Sequence, residues 1–258
     1  MNNLNLKNIT EELIHAFLEA GKIAREISIK GVKITIKPDK SPVTDGDLAV
    51  NKILTDKIKN LTQNIPIISE ETVNLNLTNK NKTFWLIDPI DGTKDYIRKR
   101  DEYTLNAALI VDQNPVIGIV YAPAKDRLFY SYGKNLAFEM RKGKKVVLKC
   151  SKKNIGDIIG LENSGETPME ILDIYKKYNV SKKLKMSSSI KFCILAAGEA
   201  DIYAAKARAY EWDIAAGHAI LEHAGGTITT HDDKKILYGK KNFKNLSIIA
   251  KRAPNLKK

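Results

Sequence analysis

Cysteine and histidine are scarce in this chain, and long apolar runs are missing. Of 258 residues only two are cysteines, Cys150 and Cys193, and they lack the spacing of a metal site. Two buried thiols in a reducing cytoplasm explain this low cysteine content better than a disulfide framework does. No apolar run approaches the roughly 20 residues of a membrane-spanning helix, and the N-terminal MNNLNLKNIT lacks the basic start and apolar centre of a signal peptide. We therefore expect a cytoplasmic globular protein without a transmembrane segment.

Acidic residues are missing from the last part of the chain, where basic residues collect. The net charge is +13, and the stretch from Lys234 to Lys258 holds nine lysines or arginines and no acid. A second basic cluster runs from Arg141 to Lys153. Nucleic acid, a membrane surface or a phosphate-rich substrate would suit this charge, and so would lysines that are simply solvated. Because the clusters lack interleaved aromatic residues, we expect no specific nucleic-acid partner. The basic tail leaves peripheral association with the inner face of the membrane open.

Helical and strand patterns alternate along the chain. Helices are predicted at residues 9–28, 45–61, 168–178, 190–198 and 213–226. Strands are predicted at residues 32–37 (half-buried), 65–69, 83–87, 105–111, 116–123 and 201–205. The polar stretch 132–145 is typical of a loop and a boundary, so we divide the chain into an N-terminal α+β half, residues 1–135, and a C-terminal α/β half, residues 136–258. The element order indicates an α+β fold that passes into α/β.

Two carboxylates stand at the end of an apolar strand in the stretch WLIDPIDGT, residues 85–93. Asp88 and Asp91 would repel each other there, and unpaired buried charges cost several kcal/mol. Pro89 cannot donate a ladder hydrogen bond, so we expect the chain to leave the sheet at this residue. That departure would turn both aspartates and the Ile90 carbonyl toward one point. A cation is the expected occupant of that point.

The two residues that follow could serve a ligand as well. Gly92 lets the backbone approach a ligand closely, and the N–H groups after it could hold a phosphate. Thr93 would add a hydroxyl beside the carboxylates. The alternative is a plain Pro-Asp-Gly turn, since all of these residues are common in turns.

Three further acidic positions fall at the ends of predicted elements, where functional side chains are often placed. Glu70 follows a short apolar run, Asp213 opens the last helix, and Asp47 belongs to SPVTDGD. Each has an ordinary alternative: Glu70 a solvated loop acid, Asp213 a helix N-cap, and Asp47 the partner of Thr44 in a capping box. A ligand set of carboxylates without histidine or cysteine selects hard ions such as Mg²⁺.

The order of these motifs resembles the inositol monophosphatase superfamily of Mg²⁺-dependent, lithium-sensitive phosphatases. The matching stretches are SPVTDGD, ISEE, WLIDPIDGT and EWDIAAGHAI, and they are spread over nearly the whole chain. Within the family, SPVT, FWLIDPIDGTKDYI, VYAP and SSSIKFC resemble most closely the CysQ-type 3'(2'),5'-bisphosphate nucleotidases. The resemblance implies a layered α/β/α/β/α sandwich.

The resemblance also implies a role for each motif residue. Glu70, Asp88 and the Ile90 carbonyl would hold one Mg²⁺, and Asp88, Asp91 and Asp213 a second, with two or three ions per site. Glu70 and the Thr93–Asp47 pair would orient and deprotonate the attacking water, so these three are the predicted catalytic residues. Substrate contacts are implied for Glu70, Ile90, Asp91, Gly92, Thr93, Ser188, Lys191 and Asp213, with Lys191 touching a phosphate or the ribose.

Two stretches depart from the nucleotidase pattern. GLENS, residues 160–164, stands where that branch has a stretch like S-R-S-H, and AAKARAY, residues 204–210, stands where it has one like P-R-x-G-P-T. Three functions are therefore compared. The leading one is hydrolysis of adenosine 3',5'-bisphosphate to AMP and phosphate. The second is an inositol- or sugar-phosphate monophosphatase, and the third is a basic RNA- or protein-binding module on an inactive phosphatase fold.

Overall fold

The computed structural model describes residues 4–75, 81–150, 156–254 and 256. Within these residues, no helix combines the length and the apolar character that crossing a membrane requires. Both cysteines are buried and unpaired, as predicted. Four residues of the basic clusters lie outside the described part of the chain: Lys152, Lys153, Lys257 and Lys258.

Among the described residues, five helices match predicted ones with their ends shifted by at most three residues, and a sixth, short helix at Thr93–Ile97 was not predicted. They are α1 (Leu6–Lys30), α2 (Asp45–Leu61), α3 (Thr93–Ile97), α4 (Met169–Lys177), α5 (Ile190–Ala196) and α6 (Glu211–His223). Helix α1 is amphipathic, and its buried face includes Leu13, Phe17, Ala20 and Ala24, which recur at the spacing of helical turns. The periodicity of the apolar residues therefore determines which side of α1 faces the protein.

The strands form a hairpin and two larger sheets. The hairpin pairs β1 (Ile34–Ile36) with β2 (Pro42–Thr44). The seven-stranded sheet has the order β3-β4-β5-β6-β7-β8-β9. Its strands are β3 (Ile67–Ser69), β4 (Thr83–Asp91), β5 (Thr104–Val111), β6 (Asn114–Ala122), β7 (Arg127–Ser131), β8 (Ala137–Arg141) and β9 (Lys144–Val147). It is antiparallel except for the parallel pair β3–β4.

The second sheet has five strands in the order β11-β10-β12-β14-β13. The strands are β10 (Ile158–Glu162), β11 (Val180–Lys185), β12 (Ile202–Ala205), β13 (Thr227–Thr230) and β14 (Ile248–Lys251). Strand β10 runs parallel to both of its neighbours, and β14 runs antiparallel to β12 and β13. The sheet is therefore mixed, as expected for a half that combines helices with crossover connections.

Alternate residues of β4 face different layers of the protein. Trp85 and Ile87 pack with α1 and α2, whereas Phe84 and Leu86 pack in a cluster with α5 and α6. That second cluster extends to one face of the five-stranded sheet, and α4 covers the sheet's other face. The layers are thus helices, sheet, helices, sheet and helix, which confirms the predicted α/β/α/β/α sandwich. A strand buried on both faces is apolar along nearly its whole length, and β4 is apolar from Phe84 to Ile87.

Two local predictions are wrong. Strand β1 was expected to be half-buried, but all three of its residues are exposed, because the hairpin stands apart from both large sheets. The stretch 132–145 was expected to be a loop, but it contains β8 and the first half of β9, which extend the seven-stranded sheet past residue 135. The charged residues there fit an outer hairpin, which needs only one apolar face. The division into residues 1–135 and 136–258 stays a prediction about folding units.

Candidate active site

Three carboxylates from separate elements meet at one point. Glu70 follows β3, Asp88 lies in β4 and Asp213 lies in the first turn of α6. Each offers an oxygen within 4.8 Å of the oxygens of the other two. Asp91 adds its charge to theirs: burial above all, then Glu70, Asp91 and Asp213, raise the pKa of Asp88 well above its usual range. The structure therefore brings together carboxylates that lie up to 143 residues apart in the sequence.

A bulge in β4 turns Asp88 and Asp91 toward this point. Asp88 pairs with Asn106 of β5, and Asp91 pairs with Thr104, so three steps along β4 are opposed by two steps along β5. In a regular strand, residues three apart face opposite sides, and one extra residue cancels that difference. The extra residue falls beside Pro89, which cannot donate to the ladder. The expectation that the chain leaves the sheet at Pro89 is wrong, since β4 continues to Asp91.

Asp88 has the surroundings of a cation ligand. Its side chain is buried, and its Oδ1 atom has no hydrogen-bond partner among the described residues. A buried carboxylate without donors is costly unless a positive charge compensates it. The neighbouring groups are carboxylates, so the donor set is made of oxygen alone, which suits a hard divalent ion such as Mg²⁺. The residues present therefore fit a metal centre.

Backbone N–H groups hold two of the other carboxylates in place. The Ser189 N–H donates to Asp91 Oδ2, and the Tyr210 N–H donates to Asp213 Oδ2 at 2.8 Å. Asp213 is thus the third residue of α6 rather than its N-cap. From that position its side chain reaches back to the Tyr210 N–H, which fixes the direction of the carboxylate. Each aspartate can use its second oxygen for a ligand while the first is anchored.

A lysine that was not anticipated contacts the acidic cluster from the exposed hairpin side. Lys37 Nζ lies 3.4 Å from Glu70 Oε1 and 2.8 Å from Glu71 Oε2. Burial raises the pKa of Glu70 to about 7, and the nearby Lys37 ammonium opposes that rise. Because Lys37 is 33 residues from Glu70, no local spacing signals this ion pair.

Asp47 takes part in the capping box and in a contact with Thr93. Its Oδ2 accepts hydrogen bonds from the Thr44 N–H at 2.8 Å and the Thr44 hydroxyl at 2.5 Å. Its Oδ1 lies 3.4 Å from Thr93 Oγ1, which also lies 3.1 Å from the Ile90 carbonyl oxygen. Burial raises the pKa of Asp47 to about 6. The capping alternative is confirmed, and it leaves one oxygen of Asp47 directed to Thr93.

Gly92 is required by the backbone at this point. It adopts the left-handed region with φ +95°, and an added Cβ would lie 2.8 Å from the Glu102 carbonyl oxygen. Other residues rarely adopt this conformation, and the contact leaves no room for a side chain. Ser188 lies beside it, 3.6 Å from the same Cβ position, so the two predicted substrate contacts are neighbours.

Lys191, a predicted substrate contact, lines the cavity and also supports its own loop. Its Nζ donates to the Ser188 carbonyl oxygen at 2.6 Å and the Met186 carbonyl oxygen at 3.2 Å. The side chain is buried, and burial lowers the pKa of its ammonium to about 8. Ser188 itself has a positive φ of 58°. In the structure, Lys191 therefore holds the loop that carries Ser188.

A cavity of about 590 Å³ opens over these groups. This volume is typical of small-molecule sites. Its walls bring together residues from both sheets and from the loop before α6, including Glu70, Asp91, Gly92, Thr93, Ser188, Lys191, Arg208 and Asp213. Asp88 lies beneath them. A smaller cavity of about 140 Å³ adjoins the first and shares the wall residues Ser164, Lys206 and Arg208.

Comparison with known sequences places this site in a family context. The sequence model of the inositol monophosphatase family matches residues 5–257. A relative from Buchnera aphidicola subsp. Acyrthosiphon pisum (strain APS), the 3'(2'),5'-bisphosphate nucleotidase CysQ, is 37% identical over 205 residues, which are 79% of this chain and 76% of the relative. The protein of the same name from Salmonella typhimurium is 32% identical over 211 residues, 81% of this chain and 84% of the relative.

Solved structures show the same architecture. The structure of CysQ from Bacteroides thetaiotaomicron, described as a bacterial member of the inositol monophosphatase family, has a TM-score of 0.77 and 28% identity, and the match covers 96% of this chain and 97% of that one. An inositol monophosphatase from Anabaena (Nostoc) has a TM-score of 0.75 at 21% identity, covering 98% and 94%. At 21% identity, the likeness to the Anabaena enzyme shows a shared fold alone.

Proposed function

The chain belongs to the inositol monophosphatase family and is a metal-dependent phosphatase, and we propose that it hydrolyses the 3'-phosphate of adenosine 3',5'-bisphosphate to give AMP and phosphate. One observation carries the chemistry: oxygens of Glu70, Asp88 and Asp213 lie within 4.8 Å of one another beneath a cavity large enough for a small molecule. The choice of substrate rests on the nucleotidases that match most of the chain at 37% and 32% identity.

We assign the metal ligands to the predicted residues. Glu70, Asp88 and the Ile90 carbonyl would hold one Mg²⁺, and Asp88, Asp91 and Asp213 a second, with two or three ions per site. When bound, Mg²⁺ stabilises the charge of the phosphate and of the departing oxygen and lowers the pKa of a coordinated water. The buried, unpartnered Oδ1 of Asp88 supports this assignment.

Three side chains would handle the proton of the attacking water. The Thr93 hydroxyl can donate its own proton to Asp47 Oδ1, 3.4 Å away, and thereby accept a hydrogen bond from the water. Glu70, whose carboxylate lies in the same cluster as Asp88 and Asp213, would receive the water's proton as the general base.

The substrate would be held on the carboxylate side by the groups around the β4 bulge. Gly92 lets the phosphate approach the backbone, and the Thr93 and Ser188 side chains line the same part of the cavity. Ser188 Oγ is buried without a hydrogen-bond partner among the described residues, so it has a donor to offer. Lys191 supports this wall through the Ser188 carbonyl rather than through direct contact.

One observation bears on each of the two alternative functions. An inositol- or sugar-phosphate monophosphatase would use the same carboxylates, and the altered stretches GLENS and AAKARAY favour it over a nucleotidase with standard recognition residues. The assembled carboxylate cluster opposes an RNA- or protein-binding module on an inactive fold. Attachment of the basic tail to a membrane surface stays a prediction; two of its lysines, Lys234 and Lys240, are paired with Asp232 and Glu211.

The proposal is tested by measuring phosphate release from adenosine 3',5'-bisphosphate, 3'-AMP and inositol 1-phosphate in Mg²⁺. We expect the bisphosphate to have the highest kcat/KM, with a KM raised by the two altered stretches and a kcat maintained by the metal site. Asp91→Asn should fold normally and lose most of the rate. Faster hydrolysis of inositol 1-phosphate would establish the monophosphatase alternative, and full activity after treatment with EDTA would refute the metal assignment.

A further inference from the structure

The cavity wall formed by AAKARAY, residues 204–210, carries an arginine without a protein partner. Arg208 is exposed and lines both the large cavity and the smaller one that adjoins it. Among the residues that the structure describes, its guanidinium has no hydrogen bond or ion pair. Its neighbour Lys206 differs, since its Nζ lies 3.0 Å from Glu170 Oε2. Arg208 is therefore available to a ligand at the junction of the two cavities.

The other cations of the large cavity are engaged or lie elsewhere. Lys191 donates two of its three N–H groups to backbone carbonyls, and Lys37, which is not part of the cavity wall, is paired with Glu70 and Glu71. Lys94 also lines the cavity and is exposed, but it follows Thr93 directly and so stands at the end where the phosphate would react. Arg208 is the exposed, unpartnered cation on the opposing wall within the described part of the chain.

The charge of Arg208 reaches the interior of the cavity. Burial raises the pKa of Asp91, and the charge of Arg208 opposes that rise, after the larger opposing effects of Lys191 and the Ser189 N–H. The same charge also contributes to the lowered pKa of the Lys191 ammonium, where burial is the main cause. Both groups belong to the carboxylate side of the cavity. Because Asp91 and Arg208 line the same cavity, a molecule that spans it can touch the carboxylate site and Arg208 at the same time.

We propose that Arg208 binds a second phosphate of the substrate, the one that stays on the product. The inference rests on the proposed function and names the residue that makes the site selective for bisphosphates. A guanidinium donates two parallel hydrogen bonds to a phosphate and keeps its charge at every working pH. Lys191, for which the resemblance implied a phosphate or ribose contact, is buried and gives two of its three N–H groups to backbone carbonyls, so it cannot offer a phosphate the paired hydrogen bonds of a guanidinium. Arg208 binds the second phosphate from the stretch AAKARAY, which stands where the nucleotidases have a stretch like P-R-x-G-P-T.

The test compares a bisphosphate with a monophosphate on the same nucleoside. For wild type and Arg208→Gln, kcat and KM are measured with adenosine 3',5'-bisphosphate and with 3'-AMP, which lacks the 5'-phosphate. The ratio of the two kcat/KM values should fall about 10- to 100-fold in the variant, as expected for the loss of a charge-assisted hydrogen bond. The loss should appear in KM, since the phosphate bound by Arg208 does not react. Inhibition by 5'-AMP should weaken by a similar factor.

Three further variants separate this role from general charge effects. Arg208→Lys should restore part of the ratio, because it keeps the charge and loses the bidentate geometry. Lys177→Gln removes an exposed charge at the end of α4, outside the cavity walls, and should leave the ratio unchanged. If Lys94→Gln lowers the ratio and Arg208→Gln does not, the assignment to Arg208 is overturned. An equal loss on both substrates in Arg208→Gln overturns it too.

The proposed nucleotidase function and the phosphate site at Arg208 can be tested separately. If the wild type prefers inositol 1-phosphate, the nucleotide assignment is wrong, and the same comparison is made with inositol 1,4-bisphosphate and inositol 1-phosphate. A selective loss of the bisphosphate in Arg208→Gln would then still support a second phosphate site. Equal losses would refute it on either scaffold. Thermal unfolding of each variant checks that the exposed substitution leaves the fold intact.

Discussion

The hydroxyl of Thr93 lies 3.4 Å from Oδ1 of Asp47, and this contact links the start of α3 to the first turn of α2. The other oxygen of Asp47 caps α2 through Thr44. One carboxylate therefore fixes a helix end and accepts from a hydroxyl in the cavity wall. This arrangement lets a structural residue set the orientation of a group that would contact the attacking water.

We expect Thr93 and Asp47 to act as a unit. Thr93→Ala and Asp47→Ala should each lower kcat roughly 100-fold or more, since positioned acid–base groups contribute that much, and the double variant should be little worse than either. Thr93→Ser should keep most of the rate. Asp45→Ala, which removes another acid from the first turn of α2, controls for the helix end. Additive losses in the double variant would show that the two residues act separately.

We expect Asp88→Asn to abolish activity and to stabilise the metal-free protein. Burial above all, and then repulsion from the neighbouring carboxylates, raises the pKa of Asp88, so this ionisable group destabilises the folded metal-free chain and a neutral amide does not. A gain of about 1 kcal/mol would raise Tm in EDTA by roughly 2–4 °C for a chain of this size. Mg²⁺ should raise the Tm of the wild type and have little effect on the variant. Thermal unfolding with and without Mg²⁺ decides; a lower Tm in EDTA would contradict the repulsion.

Lys37 should oppose metal binding at Glu70. Its ammonium lies 3.4 Å from Glu70 Oε1, so it competes with a cation for the same carboxylate. Lys37→Gln should lower the Mg²⁺ concentration for half-maximal activity a few-fold, as expected for the loss of a partly exposed ion pair worth up to about 1 kcal/mol. Lys52→Gln, which removes an exposed pair with Asp56, is the matched control. A higher Mg²⁺ requirement in Lys37→Gln would contradict the competition.

Lys191→Ala should damage the site without regard to substrate. The variant leaves the Met186 and Ser188 carbonyls without their donor and opens a space under the loop, so Tm should fall. Activity on 3'-AMP and on adenosine 3',5'-bisphosphate should fall by similar factors. A selective rise in KM for the bisphosphate, with an unchanged Tm, would instead restore the direct phosphate contact predicted from the sequence.

His223 should make stability depend on pH in the acidic range. Burial lowers the pKa of His223 to about 4, from the ordinary value of 6.5, and its Nδ1 lies 2.9 Å from Ser131 Oγ. Between pH 6.5 and 4 the unfolded chain binds a proton that the folded chain does not, so the free energy of unfolding falls as the pH falls. Urea unfolding across this range should show a shallower fall in His223→Gln. An identical slope in both proteins would exclude this contribution.

Features encoded in short stretches of sequence were predictable. The capping box of Thr44 and Asp47 spans four residues, and the amphipathic face of α1 repeats along one helix. Asp88, Asp91 and Thr93 lie within six residues of sequence, so their grouping was predictable, although the sequence did not show that the strand continues past Pro89 through a bulge. The order of the motifs was specific enough to indicate the layered fold and the family.

The sequence by itself determined which carboxylates could form a cation site, while only the tertiary structure decided what the long cationic side chains contact. Lys37 reaches Glu70 and Glu71 from a separate hairpin, Lys191 is directed to the carbonyls of its own loop, and Arg208 is left facing the cavity. A carboxylate on a short side chain points where its backbone places it. A lysine or arginine has several rotatable bonds, so its partner depends on the packing of elements distant in the sequence.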